Sequence, residues 1–239
     1  MEDFSFKLTD TRRTAESGNV FWYLFLCAAL LGTLTYAIAQ GGRSSVTSLS
    51  EDKQELLAAD IVAYADIVGK AVTQLRLRGT LVSEISFANS FLSAGEYGTY
   101  NSDPQNEIFN PDGGAVVYTS PAALATVSGT EEFMFLSGNE IEQVGTTCGD
   151  ASCSDLIMVL ENVRTDICTK INDIIGVTNP SNTPPTDSDI DLADKYIAGN
   201  AFTHNEVIGD EDLALEGQRE ACFEKADADN TYYKVLWSR

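Results

Sequence analysis

The cysteines are the residues whose type and spacing best support a chemical assignment in this sequence. There are five, and Cys27 lies inside an apolar run near the N-terminus. The other four form an even set, which favours disulfide bonds in an oxidising compartment. We predict the pairs Cys148–Cys153, across the short loop CGDASC, and Cys168–Cys222, across about 55 residues, where a cross-link restricts the unfolded chain more strongly. A four-thiolate zinc site is the alternative, although its ligand spacing would be loose.

Oxygen-bearing side chains at alternating positions are the second feature that could do chemistry. In KADADNTYY these are Asp227, Asp229 and Asn230, and DSDID (Asp187–Asp191) has the same character. Such side chains can converge on calcium when they lie in a loop. The complete calcium-loop pattern, with its Gly and terminal Glu, is missing, and an acidic turn before the last strand is the alternative. Calcium is the only cofactor that the sequence indicates.

Motifs for catalysis are scarce, and we predict that the protein is not an enzyme. The sequence contains neither a phosphate-binding G-x-x-x-x-G-K-[ST] loop nor a G-x-G-x-x-G or H-E-x-x-H motif. G-x-S-x-G is missing as well. The single histidine, His204, stands in a loop-like region with no nucleophile near it in sequence.

The charge of the chain restricts its partners. Thirty-six acidic residues against 15 basic ones give a net charge of −21. A surface this acidic repels phosphate, so we predict that nucleic acid is not a partner. The acidity serves either solubility or the binding of divalent cations.

An apolar run near the N-terminus predicts a membrane anchor. Val20–Ala39 contains no charged residue, and as a helix it would match the hydrocarbon thickness of a bilayer. We predict a cytoplasmic leader over residues 1–18, a transmembrane helix over 19–41 and an acidic extracytoplasmic domain over 42–239. Arg12 and Arg13 favour this orientation. A cleaved secretory peptide is the alternative, since Ala37 and Ala39 form an A-x-A match, but the run exceeds the usual apolar length.

Periodicity in the remaining sequence predicts an α+β domain. Ser48–Arg78 has the apolar stripe of a long amphipathic helix, with a capping box at Ser48 and Glu51. We predict a second helix from Asp155 to about Gly176 and a hairpin that turns at Ser137-Gly138-Asn139. NTYYKVLWSR, residues 230–239, predicts a central terminal strand. The expected architecture is a long helix packed on an antiparallel sheet.

This order of segments resembles type IV pilin-like proteins and the pseudopilins of type II secretion. It is closer still to single-pass bacterial envelope proteins that carry SGNVF before the apolar run and a YYxVL strand near the C-terminus. The matching pieces are Ser17–Phe21 and Tyr232–Leu236. The resemblance covers the two ends of the chain and its general plan.

The resemblance implies a function, a location and a processing site. Pilin precursors are cut after a Gly, which would be Gly18 here and would leave Asn19 as the first residue. The family places a Glu at the fifth mature position, whereas this chain has Tyr23 there and Glu16 before the Gly.

The implied protein is a structural subunit of an envelope filament or a secretion assembly. It would lie in the bacterial inner membrane with its domain in the periplasm or outside the cell. Its partners would be the lipid bilayer and other pilin-like subunits, which it would meet through the N-terminal helix. A monomeric anchored binding module, which would present the loops Tyr97–Gly114 and Thr178–Asp191 to a ligand or calcium, is the alternative.

Overall fold

The computed structural model describes residues 18–41 and 50–239, apart from residues 93, 94 and 227. The chain divides into two compact units, residues 1–49 and 50–239. The described part of the first unit is helix α1, Gly18–Gly41, with side chains described for residues 22–33. Among the described residues, we find no helix with the length and apolar character needed to cross a membrane.

The second unit is an α+β domain, as the sequence predicts. Its helices are α2, Glu51–Leu77, and α3, Thr165–Ile175. Its strands are β1, Met134–Ile141; β2, Asp155–Val163; β3, Glu206–Ile208; β4, Glu220–Glu224; and β5, Asn230–Trp237. Short 3-10 turns occur at Val82–Glu84, Pro104–Asn106 and Pro180–Asn182.

The five strands form one mixed sheet in the order β3-β1-β2-β5-β4. The pairs β1–β2, β2–β5 and β5–β4 are antiparallel, whereas β1 and β3 are parallel. The prediction of a purely antiparallel sheet is therefore wrong at one edge. The terminal strand is confirmed as an interior strand, because β5 has a neighbour on each side.

The helix predicted from Asp155 to Gly176 is wrong in its first half. Asp155–Val163 is the middle strand of the sheet, and only Thr165–Ile175 is helical. The segment DLIMVLENV is buried along most of its length, because a central strand is covered on both sides. Such a strand loses the alternation that marks β-structure and cannot be distinguished from a buried helix by its pattern.

The predicted hairpin at Ser137-Gly138-Asn139 is also wrong, because these residues lie within the single strand β1. The register with β2 shifts between Leu136 and Asn139, as at a β-bulge. A Cβ on Gly138 would come within 2.7 Å of the Asn205 side chain. The glycine therefore permits the close approach of a neighbouring segment. From the sequence alone, a glycine at this position is easily mistaken for part of a turn.

Helix α2 confirms the predicted long amphipathic helix with slightly shorter bounds. Its N-cap is Ser50, and Ser48, the predicted capping residue, lies outside the described residues. The helix ends before Gly79, which has a φ of +100°, a value that glycine adopts readily. One face of the helix is buried. It consists of Leu57, Ala58, Ile61, Ala65, Val68, Ala71, Val72 and Leu75.

The sheet has two differently covered faces. The helix face is covered by α2 and α3: Lys234 of β5 contacts Asp66 of α2, and Cys222 of β4 is bonded to Cys168 of α3. The loop face, which carries the alternate residues, packs against the segments between α3 and β4. Its cluster consists mainly of Leu136, Ile141, Ile157, Val159, Ile208, Phe223, Tyr233 and Val235 from the strands, with Val177, Ile190, Leu192 and Leu215 from the loops.

Candidate functional site

The surface of α1 is apolar wherever its side chains are described. Trp22, Phe25, Leu30 and Leu31 are each more than half exposed. Cys27, also exposed, is the free cysteine of the described residues. A helix that is apolar all round is normally buried in protein or in lipid. This surface is therefore the first candidate for association.

The predicted processing residues lie at the start of this helix. Gly18 and Asn19 are the first two residues of α1, and the side chain of Asn19 is not among those described. Cleavage after Gly18 stays a prediction.

Both predicted disulfide bonds are present. Cys148–Cys153 closes a loop with a sequence separation of 5, and Cys168–Cys222 joins α3 to β4 with a separation of 54. Cys168 and Cys222 are completely buried, so this bond cross-links the helix face from inside.

A buried carboxylate supports the smaller disulfide loop. Glu140 of β1 is completely buried. Its Oε1 accepts a hydrogen bond from the backbone N–H of Cys148 at 2.8 Å, and its Oε2 accepts one from that of Gly149 at 2.9 Å. The loop is therefore fixed to the sheet by a charge-assisted contact as well as by its covalent bond.

The first predicted calcium site is only partly within the described residues. Asp227 lies outside them, and Asp229 is exposed. Asn230 is buried, and its Nδ2 donates to the carbonyl oxygen of Val163 at 3.0 Å and to Oγ1 of Thr165 at 2.9 Å. The Asn230 amide thus secures β5 to the end of β2, and calcium binding at this hairpin stays a prediction.

The second acidic stretch forms a cluster in three dimensions. One carboxylate oxygen from each of Asp187, Asp189 and Glu211 lies within 4.8 Å of the others. We call these three residues the acidic loop cluster. Asp187 and Asp189 precede β3 and Glu211 follows it, so the cluster joins two loops. Asp187 is completely buried, whereas Asp189 and Glu211 are exposed.

Hydrogen bonds between the two loops hold this arrangement. Asp187 Oδ2 accepts from the backbone N–H of Gly209. Glu211 Oε2 accepts from the backbone N–H of Ser188 at 2.7 Å and from its hydroxyl at 2.8 Å. These bonds lower the pKa of Glu211 below its ordinary value. The exposed carboxylate is therefore held ionised beside Asp187.

The surroundings of Asp187 disfavour its ionised form. Burial raises its pKa to about 7, and the charges of Asp210, Glu211 and Asp189 add to this effect, against the hydrogen bond from Gly209. Its Oδ1 is a buried polar atom to which none of the described residues donates a hydrogen bond. An ionised carboxylate in this position is costly unless a positive charge compensates it.

The sequence alone indicates two of the three members of this cluster. The stretch DSDID singles out Asp187 and Asp189, but Glu211 is 23 residues beyond Ser188 and belongs to no motif with them. Only the pairing of β3 with β1 and the packing of both loops on the sheet bring these residues together.

Comparison with known proteins gives no further assignment. No family model matches the chain, and neither a curated protein nor a solved structure matches it.

Proposed function

We propose that this chain is a membrane-anchored, pilin-like or pseudopilin-like structural subunit of an envelope filament or secretion assembly. In this proposal residues 19–41 span the inner membrane, on the strength of the uncharged run Val20–Ala39 in the sequence, although no helix among the described residues meets the requirements of a membrane span. Residues 42–239 then form a periplasmic or extracellular domain. The chain acts by packing its N-terminal helix against those of neighbouring subunits and not by catalysis.

One observation carries this proposal: the apolar surface of α1 is exposed on every side that the structure describes. Leu24, Phe25 and Leu31 are exposed by 61%, 73% and 63%, although apolar side chains of this size normally lie inside a protein. The sequence extends this character from Val20 to Ala39 without a charge. Lipid and a second apolar helix are the surroundings that such a segment favours.

The chemistry of the domain agrees with a location outside the cytoplasm. Two disulfide bonds are stable in an oxidising compartment, whereas cytoplasmic reductants keep most thiols reduced. Thr33 and Gly32 give α1 small residues at which another helix can approach closely. The Thr33 hydroxyl donates to the carbonyl oxygen of Leu30 at 3.0 Å, so it is satisfied within the helix in an apolar surrounding.

Cross-linking through Cys27 tests the association of these helices. Cys27 is a free thiol on the exposed surface of α1, and the other four cysteines are bonded within the chain. Membranes that contain the full chain are treated with an oxidant and analysed without reductant. We expect a dimer band that disappears on reduction and in Cys27→Ser.

The matched control moves the thiol to the domain surface, as in Cys27→Ser combined with Asp60→Cys. A dimer band at Cys27 but not at residue 60 supports association through α1. Extraction of the chain into buffer without detergent contradicts the anchor. A membrane-bound chain without any Cys27 dimer supports the monomeric binding module instead.

The mass of the mature chain tests the processing step. Cleavage after Gly18 gives a chain that begins with Asn19, and Gly18→Leu should then leave the precursor intact. A mature chain trimmed near Gln40 would contradict the retained anchor. An intact Met1 would exclude pilin-type processing while leaving the anchor in place.

A further inference from the structure

The acidic loop cluster brings three carboxylates together without an ion-pair partner among the described residues. In the part of the chain that the structure describes, none of the ion pairs involves Asp187, Asp189 or Glu211. Asp210 adds a further negative charge next to Glu211. Mutual repulsion favours loss of this arrangement unless a cation binds there.

The buried member of the cluster indicates where a cation would bind. The Asp187 side chain is completely buried and has an oxygen within 4.8 Å of the oxygens of Asp189 and Glu211. Its Oδ2 binds Gly209, but its Oδ1 has no partner. Buried polar atoms are normally paired, so this oxygen is free to accept a ligand from outside the described residues.

From this geometry we infer that Asp187, Asp189 and Glu211 bind a divalent cation, with Ca²⁺ as the best match. All three ligands are oxygens, which hard cations prefer and which Zn²⁺ seldom uses alone. Two oxygens bound to one Ca²⁺ at about 2.3–2.6 Å lie at most about 5 Å apart, and the oxygens here meet that limit. Waters complete the coordination on the exposed side.

The bound ion has a structural consequence, because its ligands come from two loops. It joins the segment before β3 to the segment after it and reinforces the Asp187–Gly209 and Ser188–Glu211 hydrogen bonds. Both loops carry residues of the loop-face core, Ile190 and Leu215. Ca²⁺ binding should therefore stabilise the loop face.

Calorimetric titration of the full chain in detergent tests this site. After removal of metals with a chelator, CaCl₂ is added and the heat of binding is measured, with thermal unfolding recorded in parallel. We expect one saturable site with a Kd of about 10⁻⁵–10⁻³ M, the range from sensors to extracellular modules. We also expect the unfolding midpoint to rise with Ca²⁺.

Three variants make the result specific. Asp189→Asn removes an exposed ligand and should weaken binding at least about tenfold, while Asp187→Asn should abolish it. Asp60→Asn is the matched control, because Asp60 is an exposed carboxylate on α2. It should stay within about twofold of the unchanged protein. Near-ultraviolet circular dichroism checks that Asp187→Asn folds, and Asp189→Asn keeps the test decisive if it does not.

Two results would overturn the site. One is the lack of saturable Ca²⁺ binding up to about 10 mM, beyond the weakest extracellular modules. The other is an equal loss of affinity in Asp60→Asn and Asp189→Asn, which would indicate diffuse screening of the acidic surface. The proposed anchor and filament role is unaffected by either result.

Discussion

The two faces of the sheet hold their carboxylates in opposite ways. On the helix face, Lys234 Nζ contacts Asp66 of α2 at 2.6 Å and Glu220 of β4 at 2.5 Å. On the loop face, Asp187 accepts a hydrogen bond from the backbone N–H of Gly209 and lies near other carboxylates, and it takes part in none of the ion pairs of the described residues. The helix face also contains the Cys168–Cys222 bond, whereas the loop face has no covalent link within the described residues.

The pKa values follow this difference. Burial acts to lower the pKa of Lys234, but its hydrogen bonds to Asp66 and Glu220 prevail and raise it. The Lys234 hydrogen bond lowers the pKa of Asp66, while burial raises that of Asp187. On the helix face Asp66 and Glu220 thus share a cation from within the domain, whereas on the loop face burial favours the protonated form of Asp187.

The largest expected effect comes from removing the covalent link of the helix face. Replacing Cys168 and Cys222 with Ala should lower the free energy of unfolding by about 4 kcal/mol, from the loop length that the bond closes. Denaturant unfolding with and without Ca²⁺ measures this loss. The matched control is Cys148→Ala with Cys153→Ala, which removes a bond that closes a much shorter loop. It should lower the free energy of unfolding by about 2 kcal/mol. Equal losses would contradict the entropic account.

Removing the lysine of the helix face should have the next largest effect. Lys234→Met leaves Glu220, whose side chain is 15% exposed, without its cation and should cost about 3 kcal/mol. Lys53→Met, at an exposed position on α2, is the control and should change stability by less than about 0.5 kcal/mol. If Lys234→Met were as mild as the control, the helix face would not depend on its internal cation.

Asp155 allows a test of how the stability of the domain depends on pH through a buried carboxylate whose hydrogen-bond donors are backbone amides. It is completely buried, accepts hydrogen bonds from the N–H groups of Ile141 and Arg239, and burial raises its pKa to about 6. The folded state therefore binds its proton more tightly than the unfolded state. Stability from this group is full below about pH 4 and is lost as the pH rises through about 6.

The variant Asp155→Asn should remove this part of the pH dependence, worth about 2 kcal/mol between pH 4.5 and 7. Urea unfolding at several pH values, with chelator present, measures the slope. Asp60→Asn should keep the slope of the unchanged protein. Asp66, with its lowered pKa, changes stability in the opposite direction and only at lower pH. If Asp155→Asn left the slope of unfolding free energy against pH unchanged, another group would have to be responsible for the pH dependence.

Two neighbouring tyrosines of β5 give the smallest and most closely matched comparison. The Tyr232 hydroxyl donates to Glu220 on the helix face, and the Tyr233 hydroxyl donates to the Gln218 carbonyl oxygen at 2.8 Å. Tyr232→Phe should cost about 1.5 kcal/mol and Tyr233→Phe about 0.7 kcal/mol, because hydrogen bonds to charged acceptors contribute more. Thermal unfolding of both variants tests this, and the reverse order would contradict it.

Local patterns predict the elements whose periodicity or composition is distinctive over a short stretch. Helix α2 is found from its apolar stripe and from Gly79, and β5 from its run of β-branched and aromatic residues. The two disulfide bonds follow from cysteine number and spacing. For α2 and β5 the signal lies within a short stretch, so the sequence is sufficient.

The elements that the sequence misses depend on distant neighbours. Strand β2 is covered by layers from elsewhere in the chain, so DLIMVLENV has no pattern of its own. Gly138 in β1 is required by the approach of Asn205. Glu211 joins Asp187 only after β3 has paired with β1. Single-sequence reasoning cannot supply such long-range pairing.

The place of β5 in the sheet sets an order for folding. β5 lies between β2 and β4 but follows both along the chain, so these two strands cannot join one sheet until Asn230–Trp237 has been synthesised. The pairing of β2 with β5 closes a loop of more than sixty residues, as in the partners Val163 and Asn230, and such distant contacts form slowly. During synthesis from the N-terminus, the sheet therefore cannot be completed until β5 has been made.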